Sequence, residues 1–155
     1  MDRIESFKVN HLTLQSGLYV SRKDSFCGAV ATTFDLRFTM PNREEPLETP
    51  AIHTLEHLGA TFLRNSSQKD KIIYFGPMGC RTGFYLVMFG DLTSVDVYPL
   101  VKEMLEFIIE FKGEIPGASP IECGNYSEQD LDKAVEYAKT YLDRLVTNKN
   151  FEYKE

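Results

Sequence analysis

His53-Thr54-Leu55-Glu56-His57 sets two histidines four residues apart with a glutamate between them. On a helix, positions i and i+4 share one face, so both imidazoles reach a single divalent ion. Glu56, three residues after His53, flanks that face. The chain holds only three histidines, so this spacing around a carboxylate is a rare accident in a protein without a metal. A zinc-type catalytic site takes three protein ligands and keeps one position open for water or substrate. His11, Cys27, Cys80 and Cys123 are the candidates for the third. Cys123 lies in a glycine-containing loop that can bend toward the helix, and it is a natural thiolate ligand, although a lone loop cysteine is more often a small residue with no role, so the third ligand stays open at this point.

The helix carrying this motif is marked by Thr49-Pro50, an N-cap followed by proline at the first helical position, and runs from Pro50 to about Arg64. Ahead of it, Gly17 to Arg22 and Ala29 to Met40 read as strands. The second alternates Val30, Thr32, Phe34, Leu36, Phe38 and Met40 against Ala31, Thr33, Asp35, Arg37 and Thr39, which turns Arg37 away from the apolar face. The polar stretch from Pro41 to Pro46 is a loop.

Lys71 to Phe75 and Thr82 to Phe89 read as two more strands. The glycines and proline of Gly76-Pro77-Met78-Gly79-Cys80 put Cys80 at a turn between them. Thr93 or Ser94 caps a second helix with Val97, Leu100, Val101, Met104, Ile108 and Phe111 at helical spacing, ending at Lys112-Gly113. Glu114 to Tyr126 is a loop, so Cys123 hangs just before the last helix, which the capping-box pattern Ser127-Glu128-Gln129-Asp130 opens and which reaches about Val146. This order predicts an α+β fold, a mostly antiparallel sheet with helices packed on one face, in a single domain over residues 1–155.

The chain has 155 residues and a net charge of −6. That acidity argues against nucleic acid or an anionic membrane as partner. No stretch approaches the roughly 20 apolar residues that span a bilayer, and the charged start Met1-Asp2-Arg3-Ile4-Glu5 lacks the apolar run of a signal peptide, so a cytoplasmic protein is expected. Three widely spaced cysteines favour free or metal-bound thiols over a disulfide framework.

Taken together, His53-Thr54-Leu55-Glu56-His57, the block Gly76-Pro77-Met78-Gly79-Cys80-Arg81-Thr82-Gly83-Phe84-Tyr85 and the late Glu122-Cys123-Gly124 closely resemble the LuxS family of S-ribosylhomocysteine lyases. The resemblance runs from Glu5-Ser6-Phe7 and His11, through Phe34-Asp35-Leu36-Arg37-Phe38, to the helix after Cys123. It implies a carbon–sulfur lyase that converts S-ribosyl-L-homocysteine to L-homocysteine and 4,5-dihydroxy-2,3-pentanedione, the precursor of the quorum-sensing signal autoinducer-2. By motif position, it implies that His53, His57 and Cys123 hold the metal, that Glu56 and Cys80 carry protons, and that Ser6, His11 and Arg37 contact the substrate. It also implies one divalent ion per subunit, Fe(II) with Zn(II) or Co(II) as substitutes, and a homodimer with active sites at the subunit interface.

The chemistry agrees with these roles. A thioether β to a carbonyl leaves once the α-carbon loses a proton, but the substrate's carbonyl starts at C1 and must first migrate by two aldose–ketose isomerisations. A Lewis acid on oxygen and two proton carriers suit that sequence. A guanidinium near Cys80, from Arg37 or Arg81, would favour its thiolate. Cys27 matches no functional position and reads as packing. Some members carry an acidic residue shortly before the Pro-Met-Gly-Cys turn, where this chain has Tyr74-Phe75-Gly76; if that acid holds the homocysteine amino group, this chain must hold it in another way. Two other functions use the same residues. In a metallopeptidase of the H-x-x-E-H type Glu56 would activate a metal-bound water, and in a non-catalytic module the metal would only stabilise the fold.

Overall fold

The computed structural model describes residues 2–154. Its elements are α1 (Glu5–Lys8), β1 (Gly17–Phe26), β2 (Ala29–Arg37), α2 (Thr49–Asn65), β3 (Ile72–Pro77), β4 (Gly83–Phe89), α3 (Ser94–Glu110) and α4 (Leu131–Asn148), with a single 3-10 turn at Lys69–Lys71. The four strands form one sheet in the order β1-β2-β4-β3, antiparallel at every pairing.

Strand alternation gives the sheet two different faces. Phe34 and Leu36 of β2 pair with Leu86 and Phe84 of β4, and all four are buried in one core with α2, α3 and α4. Leu55 and Leu58 of α2, Val101, Met104 and Leu105 of α3, and Ala138, Tyr141 and Leu145 of α4 complete that core. The α+β expectation with helices on one face is met. On the other face, Asp35 and Arg37 of β2 lie opposite Tyr85 and Gly83 of β4.

Element ends depart from the sequence reading for local reasons. The first strand runs on to Phe26 because Cys27 and Gly28, at φ 48° and 80°, form a two-residue hairpin turn with both central residues left-handed. Cys27 is exposed there, so it is a turn residue and does not pack in the core. The second strand stops at Arg37, since the amides of Phe38 and Thr39 both donate to the Thr82 carbonyl and leave the ladder. Glu48, not Thr49, occupies the N-cap of α2, and its side chain makes no cap bond; Pro50 is in the first turn as expected. The last helix starts at Leu131, with Asp130 accepting from the Lys133 amide. Residues 127–129 stay outside the helix, where Glu128 and Gln129 bond to α2. The short α1, which carries Ser6, has no apolar periodicity to announce it.

Candidate metal centre and adjoining cleft

Both histidines of α2 are half-buried, and each donates its Nδ1 proton to a loop carbonyl. His53 donates to Glu128 O at 2.8 Å and His57 to Pro116 O at 2.8 Å. A carbonyl only accepts, so both rings are held in the tautomer that leaves Nε2 as a bare lone pair. Those lone pairs converge, Nε2 to Nε2, at 3.0 Å, and Cys123 Sγ lies 3.4 Å from His53 Nε2. The three ligand atoms all fall within 4.8 Å of one another.

Two lone pairs turned on each other at 3.0 Å repel, and a cation between them turns repulsion into bonding. Standard zinc–nitrogen and zinc–sulfur bond lengths at tetrahedral angles give separations of about 3.3 Å for N···N and about 3.6 Å for N···S. The donor set therefore fits one divalent ion with an open position.

The loops bringing Pro116, Cys123 and Glu128 to α2 are fixed by small details. Gly117 has φ +74°, and a Cβ there would come within 3.2 Å of His57 Nδ1, so glycine lets the Pro116 carbonyl approach the ring. The Cys123 amide donates to Ser119 O. Thr54, fully buried between the two histidines, donates to Gln129 Oε1 at 2.8 Å and accepts from the Asp130 amide at 2.9 Å, which pins the 128–130 segment to the helix. Glu56 is half-buried on α2 beside these residues and forms no ion pair among the described residues.

The other predicted site residues meet elsewhere. Ser6, His11, Arg37 and Cys80 line one cleft of about 630 Å³, walled further by Phe7, Met78, Thr82, Tyr85 and the loop 41–46. That is a size fit for a small metabolite. None of His53, Glu56, His57 and Cys123 is among its lining residues. The sequence motifs thus resolve into two half-sites on one chain.

Cys80 stands at a tight turn, where the Met78 amide donates to the Gly83 carbonyl and Arg81 takes a left-handed φ of 58°. Gly83 is required at its exit, since a Cβ there would strike the Leu36 carbonyl. Arg37 is the guanidinium near the sulfur, with Nη1 4.0 Å from Sγ; Arg81 turns instead toward the Leu47 carbonyl. Arg37 is 3% exposed and forks onto Asp35, 2% exposed, with Nε to Oδ1 at 3.0 Å and Nη2 to Oδ2 at 2.6 Å. Burial alone would lower the Arg37 pKa, but the Asp35 charge and its hydrogen bonds outweigh that, and the net direction is upward.

Tyr153, near the C-terminal end, stacks on Tyr19 at 4.5 Å and donates its hydroxyl to Asp35 Oδ2 at 2.9 Å. Burial, then the Asp35 charge, raises Tyr153 and pushes Tyr19 up to about 12. The loop wall is tied down by Arg144, which bonds both carboxylate oxygens of Glu44 and holds that carboxyl below its usual range; Glu44 also accepts from the Met40 amide. His11 donates Nδ1 to Val9 O at 2.9 Å, which leaves its Nε2 free. Asp35 and Thr82 lie inside quoted sequence blocks without an assigned role and Tyr153 and Arg144 lie outside them, and the fold is what places all four here.

A family model described as S-Ribosylhomocysteinase (LuxS) matches residues 4–152. A protein named S-ribosylhomocysteine lyase from Clostridium acetobutylicum is 57% identical over 91% of this chain and 90% of its own length. Another so named, from Finegoldia magna, is 54% identical with both chains fully covered, and one from Porphyromonas gingivalis is 46% identical, again over both whole chains. Among the described residues, no helix is long and apolar enough to cross a membrane.

Proposed function

The chain belongs to the S-ribosylhomocysteinase (LuxS) family, and on that premise we propose that it cleaves the thioether of S-ribosyl-L-homocysteine to L-homocysteine and 4,5-dihydroxy-2,3-pentanedione. The observation that carries this reading is the convergence of His53 Nε2, His57 Nε2 and Cys123 Sγ within 4.8 Å, on rings whose tautomers are fixed for metal binding.

These residues would hold one divalent ion, Fe(II) in the resident state with Zn(II) or Co(II) as substitutes, since a two-histidine, one-thiolate set with an open position accepts all three. The ion supplies Lewis-acid polarisation of the substrate's sugar oxygens. The protein moves the protons. Each aldose–ketose isomerisation removes a proton from one carbon and delivers one to its neighbour. Once the carbonyl stands at C3, a base removes the C4 proton, the C5–sulfur bond breaks, and the homocysteine sulfur leaves with the electron pair and is protonated. Glu56 and Cys80 share these transfers, a carboxylate and a thiolate acting at successive positions along the sugar. Ser6, His11 and Arg37 bind the substrate in the cleft beside Cys80.

The separation of the two half-sites supports a homodimer in which the cleft of one subunit faces the metal centre of its partner. A substrate reaching both Cys80 and the metal is then enclosed by two chains. Tyr74, Phe75 and Gly76 are absent from the cleft wall, while Glu44 and Glu45 are in it. Glu44 is taken by Arg144, so Glu45 is the carboxylate that takes the homocysteine ammonium. A cytoplasmic location suits this reaction, whose products would serve homocysteine recovery and autoinducer-2 synthesis.

The test is complementation between two inactive variants. Glu56→Gln and Cys80→Ala homodimers are each dead. In a mixed dimer one of the two composite sites keeps both residues, so random reassortment restores about a quarter of wild-type activity. No recovery, with mixed dimers demonstrated by mass, would refute a site shared between subunits.

A further inference from the structure

Between Arg37 and Cys80 lies a buried hydroxyl whose role toward Arg37 is forced. Thr82, 6% exposed, has Oγ1 2.7 Å from Arg37 Nη1 and 3.1 Å from Cys80 Sγ. A guanidinium has no acceptor, so Thr82 Oγ1 must accept from Arg37. Its single proton is then available to the cysteine sulfur, the other polar atom within bonding distance. The direct Arg37–Sγ separation of 4.0 Å is too long for a strong bond, which makes Thr82 the nearer donor.

The hydroxyl is also held in place. The Thr82 carbonyl accepts from the amides of Phe38 and Thr39, the β-branched side chain restricts χ1, and Arg37 is gripped on its far side by Asp35, itself bonded to Tyr153. A chain of hydrogen bonds thus runs from a buried ion pair to an exposed sulfur at the cleft.

We propose that Thr82 is a positioning residue for the lyase reaction: its hydroxyl donates to Cys80, holds the sulfur as a thiolate and aims it into the cleft. The proposal rests on Cys80 serving as a proton carrier. It adds that Arg37 acts on Cys80 largely through Thr82.

The experiment compares wild type, Thr82→Val, Thr82→Ala and Thr82→Ser as full-length, metal-loaded proteins. Iodoacetamide alkylation of Cys80 is followed at pH 6 by peptide mass spectrometry, with exposed Cys27 as the internal reference. A hydrogen bond to a charged sulfur is worth about tenfold in thiolate population, and the greater nucleophilicity of a more basic thiolate returns part of that, so Val and Ala slow Cys80 alkylation about fivefold. Cys27 does not change, kcat falls with KM nearly constant, and Ser restores both rates to within about twofold of wild type. Alanine adds no bulk and carries the comparison if the valine variant fails to fold. Wild-type alkylation in both hydroxyl-free variants would overturn the proposal, and so would a serine variant as slow as valine, which would assign the effect to the methyl group. The alkylation readout uses no substrate. A wild-type protein that releases no homocysteine would therefore refute the lyase reading and leave this comparison standing.

Discussion

Replacing Asp35 with Asn keeps the shape of the side chain and removes the charge that Arg37 is buried against. Arg37 and Asp35 are 3% and 2% exposed, so water cannot make good the loss. Removing one partner of a buried pair costs about 3–5 kcal/mol, because the remaining charge is left uncompensated. Asn keeps one oxygen for the fork, and Thr82 continues to accept from Nη1, which brings the cost to the lower end, about 3 kcal/mol. For a chain of this length that is a fall of about 6–12 °C in Tm. Urea unfolding and calorimetry of the metal-loaded protein at one fixed concentration measure it, since association contributes to apparent stability. The control is Asp24→Asn, whose partner Arg22 lies at 2.8 Å but with both side chains 56% exposed, and which changes stability by less than about 0.5 kcal/mol. If Asp35→Asn were indistinguishable from Asp24→Asn, the buried pair would not be the anchor of the Cys80 cleft.

The remaining predictions separate the two half-sites. Cys123→Ala loses the metal by elemental analysis, whereas Cys80→Ala keeps it and stalls; the opposite pattern would reverse the ligand assignment. Glu56→Gln retains metal and fold but abolishes turnover, and loss of both metal and fold in that variant would favour a structural site. Gly117→Ala meets a left-handed φ and a 3.2 Å contact with His57 Nδ1, so it weakens metal affinity about tenfold by displacing the Pro116 carbonyl, as competition with a chelator would read. Tyr19 and Tyr153 are both raised above 10.0 in the folded state, so their contribution is intact below about pH 10 and declines above it, that of Tyr19 being lost as pH rises through about 12. The urea midpoint therefore drops between pH 10 and 12 more steeply in wild type than in Tyr153→Phe, and parallel curves would contradict this.

Much of this architecture was legible in the residues because the sheet and the long helices obey simple periodicities. The alternation through Phe34, Asp35, Leu36 and Arg37 assigned Arg37 to the polar face, where it lies. The i, i+4 histidines fell on one helix face as their spacing required. What stayed hidden depends on contacts distant in sequence. Thr82 reads as a strand residue until the Met78–Gly83 turn brings it against Arg37. Tyr153 reads as a tail residue until it stacks on Tyr19. Ser127-Glu128-Gln129-Asp130 has the letters of a capping box, but Glu128 and Gln129 are committed to His53 and Thr54, so the helix begins only after Asp130. Cys27 reads as packing because it matches no functional position; the left-handed φ it adopts beside Gly28 places it on the surface.

On the proposed reading, this chain breaks a carbon–sulfur bond at a metal centre held by His53, His57 and Cys123. Purified protein loaded anaerobically with Fe(II) and given S-ribosyl-L-homocysteine tests it directly, with thiol titration and mass identification of both products. Homocysteine and 4,5-dihydroxy-2,3-pentanedione are expected in equal amounts. Thiol release no faster than in the protein-free control, with one metal ion bound per subunit, would contradict it.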